Sequence, residues 1–240
     1  MNVINSSILM KSEPTDKSSL ETECLFGETV DILEESLDWV YCRLKTDSYY
    51  GWVKKKGLGK QRNATHRVIA NRSFVYTDKN AKSKCLFYLP LGAKLMIENI
   101  QSEWAEVSLY GNEIQFGYVP SAHIVCIDHK TKDWVAVAEL LVGTPYKWGG
   151  RDTLGIDCSA LLQLSYQTYG EDIPRNTSQQ VNLQKKQILD IDDLKRGCVI
   201  FWKGHVGIMI DRINCIHANA FHMQTLIEPL SEIANRMGNE

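Results

Sequence analysis

A chain of 240 residues with 44% hydrophobic and 23% charged residues has the composition of an ordinary globular protein, long enough for one large or two to three small domains. Its 27 Lys and Arg against 29 Asp and Glu leave a formal charge of −2, so neither nucleic acid nor an anionic membrane is an expected partner. No run reaches the roughly 18 apolar residues of a spanning helix, so no membrane insertion is expected.

The opening MNVINSSILMKSEPTDKSS lacks a basic start, an apolar centre and a small-residue cleavage site. That reads as a protein without an export signal, hence cytoplasmic. Cysteines stand at 24, 42, 85, 126, 158, 198 and 215, with no two at C-x-x-C spacing. Neither a zinc site, another metal, a cofactor nor a disulfide framework is expected. Most of these cysteines lie among apolar residues and read as small buried hydrophobes.

In chain order, short β-type runs come first. ETVDIL, DWVYCRL and YYGWV are followed by AKLMIEN, EWAEVSLY and FGYVP, each bounded by turn residues. The two sets align as a repeat of about sixty residues. Cys24-Leu25-Phe26 matches Cys85-Leu86-Phe87, Asp38-Trp39-Val40 matches Glu103-Trp104-Ala105, and Gly51-Trp52-Val53 matches Gly117-Tyr118-Val119. Two small all-β modules follow, over 1–62 and 63–126, with 61–67 as the linker. Their short strands, central Trp and late Gly-aromatic-Val resemble bacterial SH3-like barrels.

The third region, 127–240, changes character. KDWVAVAELLVGTPY places Trp134, Val137, Leu140 and Leu141 at helical spacing, with Gly143 as a stop. A second helix is expected from Cys158 to Tyr169, closed by Gly170, and a short one within SQQVNLQKKQI. CVIFW, HVGIMI and NCIHAN then read as an antiparallel sheet, giving an α+β domain.

GIDCSALL puts Cys158 where a turn becomes a helix. The unpaired N–H groups and dipole of a helix N-terminus favour a thiolate, and a neighbouring imidazolium adds to this. The same donors can hold an oxyanion. His205, Gly207 and Met209 share one face of a strand, and His217 on a nearby strand can reach His205 and orient its ring. The same residues also fit a buried cysteine with two structural histidines.

Taken together, TPYKWGGRDTLGIDCSALLQLSYQTYG with IPR, then GHVGIMI, then IHANA, resembles the NlpC-type branch of the papain-like cysteine peptidases over about 100 residues. Ala160 stands where that family usually has Gly. The resemblance implies a papain-like NlpC-type catalytic domain preceded by two SH3-like barrels. It implies Cys158 as nucleophile, His205 as base and acid, His217 as orienter, and Tyr146 at the oxyanion site. On this reading Cys158 is paired with His205 as a thiolate and stays reactive below neutral pH.

SEPTDKSSLETECLFGE and DSYYGWV further resemble the subgroup of γ-D-glutamyl-L-diamino acid endopeptidases. That subgroup cleaves murein tripeptide and tetrapeptide fragments bearing a free N-terminal L-Ala, as in cell-wall recycling. By position, Glu13, Tyr49 and Asp157 would hold the substrate's ammonium end, with Ser159 and Ser178 lining the pocket. The alternatives are an exported hydrolase of intact wall, a non-catalytic SH3-type binding module and an acyltransferase. The order of Cys before both His argues against the last.

Overall fold

The computed structural model describes residues 1–60, 62–109, 115–183 and 190–238. The chain divides into two compact units, Met1–His129 and Lys130–Glu240.

Five strands open the first unit: β1 (Ser7–Lys11), β2 (Leu20–Leu25), β3 (Val30–Ser36), β4 (Trp39–Leu44) and β5 (Tyr50–Lys54). They pair antiparallel in the order β2-β1-β5-β4-β3. Period-2 alternation in β4 turns Val40, Cys42 and Leu44 inward, against Met10, Cys24, Val30 and Val53.

The next five strands are β6 (Arg72–Tyr76), β7 (Cys85–Pro90), β8 (Ile97–Gln101), β9 (Trp104–Ser108) and β10 (Phe116–Pro120). Their order, β7-β6-β10-β9-β8, is the same permutation. The sequence repeat is therefore a repeat of topology. Trp39 and Trp104 each open the fourth strand of their set, and Gly51 and Gly117 each stand second in the fifth. A Cβ at either glycine would lie 2.5 Å from Met10 or 2.4 Å from Val75, side chains on the equivalent first strands.

Cys24, Cys42, Cys158 and Cys215 are buried, as read for most of the cysteines, whereas Cys85 and Cys126 are exposed. Cys85 opens an edge strand next to a bulge, and Cys126 ends a short strand opposite His66. The stretch read as the linker runs into a short strand, His66–Val68. His66–Val68 pairs with both Lys94–Leu95 and Ile124–Cys126, and the Arg62 guanidinium donates to Ser108 Oγ at 2.9 Å; Gln61 lies outside the described residues.

The two modules also share material. Phe26 belongs to the core of the second, with its ring 5.5 Å from Phe87. The next residue, Gly27, has φ +77°, and a Cβ there would stand 1.8 Å from the Lys94 carbonyl oxygen.

In the second unit, α1 (Trp134–Glu139) starts at Asp133, whose carboxylate accepts the Ala136 N–H. α2 (Cys158–Tyr169) starts at Asp157 and ends at Gly170, which has φ +91°. α3 (Thr177–Gln180) is shorter than the helix expected here and passes into a 3-10 turn, Val181–Leu183. The rest of that expected helix, through residue 188, falls outside the described residues.

A four-stranded antiparallel sheet follows in sequence order: β11 (Val199–Trp202), β12 (His205–Met209), β13 (Asn214–Asn219) and β14 (Gln224–Pro229). α4 (Leu230–Met237) closes the domain. α2 packs on α1, β12 and β13 and is buried on nearly every side, with Ala160, Leu161, Leu162 and Leu164 in the core. Met209, Cys215, Ile233 and Leu194 form a separate cluster. The α+β class is as the sequence implies.

Candidate active site

The position of Cys158 is set by the residue before it. Asp157 Oδ1 accepts from the Ala160 N–H at 2.9 Å, the Ser159 hydroxyl at 3.1 Å and Arg175 Nη1 at 2.9 Å. Oδ2 accepts from the Gly149 N–H at 2.9 Å and Arg175 Nη2 at 2.6 Å. Arg175, 2% exposed, also donates to Ser159 Oγ at 2.7 Å. Gln180 Nε2 ties the Ser159 carbonyl at 3.0 Å to that of Pro174 at 2.8 Å. The first turn of α2 is thus held by the Gly149 loop, by Arg175 and by α3. A buried cation matched by a carboxylate with several further donors is the arrangement that offsets the cost of desolvating both.

Cys158 itself is buried. Burial pushes its thiol up to about 11, and the charge of Asp157 adds to this. The Val206 backbone N–H, the Thr177 side chain and Arg175 pull the other way without reversing it. Val206 directly follows His205, so the sulfur docks on β12 one residue from the expected base. Tyr146 is half-buried; burial first, then the neighbouring Cys158 and Asp157, raise its phenol to about 12. It stays protonated and can donate a hydrogen bond beside the thiol.

His205 and His217 come together as expected: His205 Nε2 lies 2.7 Å from His217 Nδ1, with ring centroids 5.0 Å apart. Trp202 flanks His205 at 5.7 Å. Burial, His217 and Arg236 lower His205 to about 4, against a raising contribution from Glu228. His217 is also lowered, by burial, against Glu228. These shifts run against the expected resting ion pair. Withdrawal of both rings and the sulfur from water favours the neutral thiol and the neutral imidazole.

The remaining expected residues have different settings. Asp157 and Ser159 are engaged with each other and with Arg175. Ser178 is exposed on α3, whereas its neighbour Thr177 bonds the sulfur. In the first unit, Glu13 is exposed and its carbonyl closes a turn with Thr15 and Ser18. Tyr49 packs on the first core and its hydroxyl donates to Glu21 at 3.1 Å. Sequence reasoning missed Arg175, Thr177, Gln180 and Glu228. The first three sit in IPRNTSQQ, just beyond the helix, and a polar stretch of that kind reads as a loop until its partners are seen.

Residues 143–235 match the NlpC/P60 family, and residues 10–58 match the bacterial dipeptidyl-peptidase SH3 domain. Dipeptidyl-peptidase 6 of Lysinibacillus sphaericus is 27% identical over 92% of this chain and 88% of its own length. The γ-D-glutamyl-L-lysine dipeptidyl-peptidase of Bacillus subtilis (strain 168) is 27% identical over 89% of this chain and 78% of its own. A crystal structure of an NlpC/P60 family protein from Bacillus cereus ATCC 10987 superposes with a TM-score of 0.81 at 20% identity, covering 95% of this chain and 93% of that one. At that identity the likeness is one of fold. Residues 143–235 are thus an NlpC/P60 domain, its buried cysteine docked on β12 one residue from His205, behind an N-terminal dipeptidyl-peptidase SH3 domain.

Proposed function

We propose that the protein is a cysteine peptidase that cuts the γ-D-glutamyl–diamino acid bond of murein peptides whose N-terminal L-Ala is free. The observation that carries this is the first turn of α2. A cysteine is held there against the Val206 N–H of β12, the residue after His205, which itself pairs with His217, in a chain nine-tenths of which aligns with a γ-D-glutamyl-L-lysine dipeptidyl-peptidase.

With a neutral resting pair, proton transfer accompanies attack. His205 takes the thiol proton as the Cys158 sulfur bonds to the γ-carbonyl carbon, and the carbonyl electrons move to oxygen. Tyr146 donates to that oxyanion, a contact of a kind worth about 3–4 kcal/mol. Collapse breaks the C–N bond, and His205 returns the proton to the departing amine. Water, deprotonated by His205, then cleaves the thioester and releases L-Ala-D-Glu.

Selection for a free amine belongs to Glu13 and Tyr49 in this proposal, because an ammonium without a carboxylate loses several kcal/mol on desolvation. Asp157 already caps α2 and pairs with Arg175, so its share in binding the amine is the smaller one. Ser159 and Ser178 complete the proposed lining. An intact wall peptide carries its L-Ala blocked by sugar and is rejected. The substrates are then released fragments, and their recycling in the cytoplasm is part of the same proposal, to be checked by cell fractionation.

The test is incubation with L-Ala-γ-D-Glu-L-Lys, the diaminopimelate analogue and their N-acetylated forms, with product masses recorded. The expected result is cleavage of the free peptides alone, and none by Cys158→Ala. Equal cleavage of acetylated peptide removes the free-amine claim. Solubilisation of intact sacculi points instead to a wall hydrolase.

A further inference from the structure

On β14 Glu228 sits diagonally across the ladder from His217, which pairs directly with Leu226. Its Oε1 lies 2.7 Å from His217 Nε2. The side chain is mostly buried and is also engaged by Arg236 of α4, with His222 Nε2 3.6 Å from Oε2. A polar line thus runs from His205 through His217 to Glu228. Nothing in the catalytic reading above uses its last member.

The line matters because a neutral imidazole has two tautomers and only one of them serves. His205 Nε2 is occupied by His217 Nδ1, so Nδ1 of His205 is the nitrogen left for the thiol proton. Nδ1 must therefore be bare, which places the His205 hydrogen on Nε2, donating to His217 Nδ1. His217 must then carry its own hydrogen on Nε2.

Two groups compete at that nitrogen. Glu228 accepts from it, whereas Asn219 Nδ2, 3.0 Å away, is a donor that suits a bare Nε2. The Asn219 orientation is itself fixed, since its Oδ1 accepts the His222 N–H at 2.8 Å. If Asn219 prevailed, both rings would flip tautomer and His205 would point a hydrogen at the thiol. A carboxylate acceptor forms a bond about twice as strong as a neutral one. Burial works to raise the Glu228 carboxyl, but Arg236 and His217 outweigh it and hold it below the usual range. The group is ionised and wins.

We propose that Glu228 is a positioning residue of the peptidase: by accepting the His217 Nε2 hydrogen it fixes the tautomers of both histidines and leaves His205 Nδ1 bare as the base. This inference rests on the assignment of Cys158, His205 and His217 above. The charged groups bearing on His205 are His217 of β13, Glu228 of β14 and Arg236 of α4; those bearing on Glu228 are His217, His222 and Arg236.

The test combines kinetics with nitrogen-15 NMR of histidine-labelled full-length protein, in which the two tautomers give distinct shifts. Wild type is expected to show the Nε2–H form at both histidines. Glu228→Ala is expected to populate the Nδ1–H form and to lower kcat by about 10–100-fold with KM unchanged, the size of effect seen for groups that orient a ligating or catalytic imidazole. Glu228→Gln, whose carbonyl still accepts, is expected to keep the tautomers and most of kcat. Loss of its charge removes a contribution that raises His205, so the acid limb of kcat/KM moves to lower pH.

Wild-type tautomers and kcat in Glu228→Ala, or a Gln variant as impaired as the Ala variant, would overturn the proposal. If the Ala variant fails to fold, the Gln variant's spectrum and acid limb still decide it. The NMR arm stands even if the murein peptides prove not to be substrates. Peptidase activity lost in Cys158→Ala but untouched in Glu228→Ala sinks the positioning role alone.

Discussion

The two units differ in how their buried side chains are linked. In the first, some close on backbone, Asn2 Nδ2 on the Gly27 and Arg62 carbonyls, Glu28 on the Leu25 N–H, Arg67 on the Ile127 carbonyl, and others make short side-chain contacts, as Ser73 with His123 and Ser108 with Glu98. The cores between them are apolar. In the second, buried side chains bond one another, as Arg175–Asp157–Ser159 and as His205–His217–Glu228. The first pattern holds strands in register. The second fixes side-chain orientations to a single choice, which is what a reacting group needs and what a scaffold does without.

The largest effect that would break this contrast concerns Cys158. With its thiol near 11, the thiolate fraction rises about tenfold per pH unit below that value. Iodoacetamide alkylation of Cys158, followed by peptide mapping, is expected to increase about a thousandfold from pH 7 to pH 10. A plateau already reached at pH 7 would mean that the polar web stabilises a thiolate after all.

Next in size is Arg175→Ala. It leaves the Asp157 carboxylate buried and without its cation, at a cost of about 3–5 kcal/mol. Calorimetry should show the second unit melting earlier, with the transition of the first unchanged. A smaller and opposite probe is Val53→Ala, fully buried in the apolar cluster of the first core. Two lost methyls and a small cavity cost about 2 kcal/mol, confined to the first unit, with peptidase kcat unaltered. Equal loss of kcat from Val53→Ala and Arg175→Ala would erase the distinction between the units.

Much of this was legible in the residues. Alternation in DWVYCRL and the paired Gly51 and Gly117 marked the modules, and Asp157 and Gly170 bracket α2 as a cap and a stop should. Helix start and strand phase, both local properties, made Cys158, His205 and His217 candidates, and the resemblance to NlpC-type peptidases chose them. The resting protonation was not legible, since desolvation depends on what the whole domain packs over the sulfur and rings. Nor was Arg175, whose partners lie up to 25 positions away. β14 and α4 were not read from the sequence, and Glu228 in LIEPL with them. The match of Cys24 with Cys85 does not survive the register: Cys24 faces Ile8, second in β1, a place filled in the other module by Leu89 opposite Ser73, whereas Cys85 faces Tyr76 at the far end of β6 and is exposed.

The joint at Phe26 and Gly27 has a practical outcome for anyone dissecting the chain. Severing it after residue 62 would strand Phe26 in water and leave a hole in the core that remains, while Gly27 would lose the carbonyl it was shaped around. The pair of modules must be expressed, swapped or evolved as one cassette, with the natural scissor point near His129.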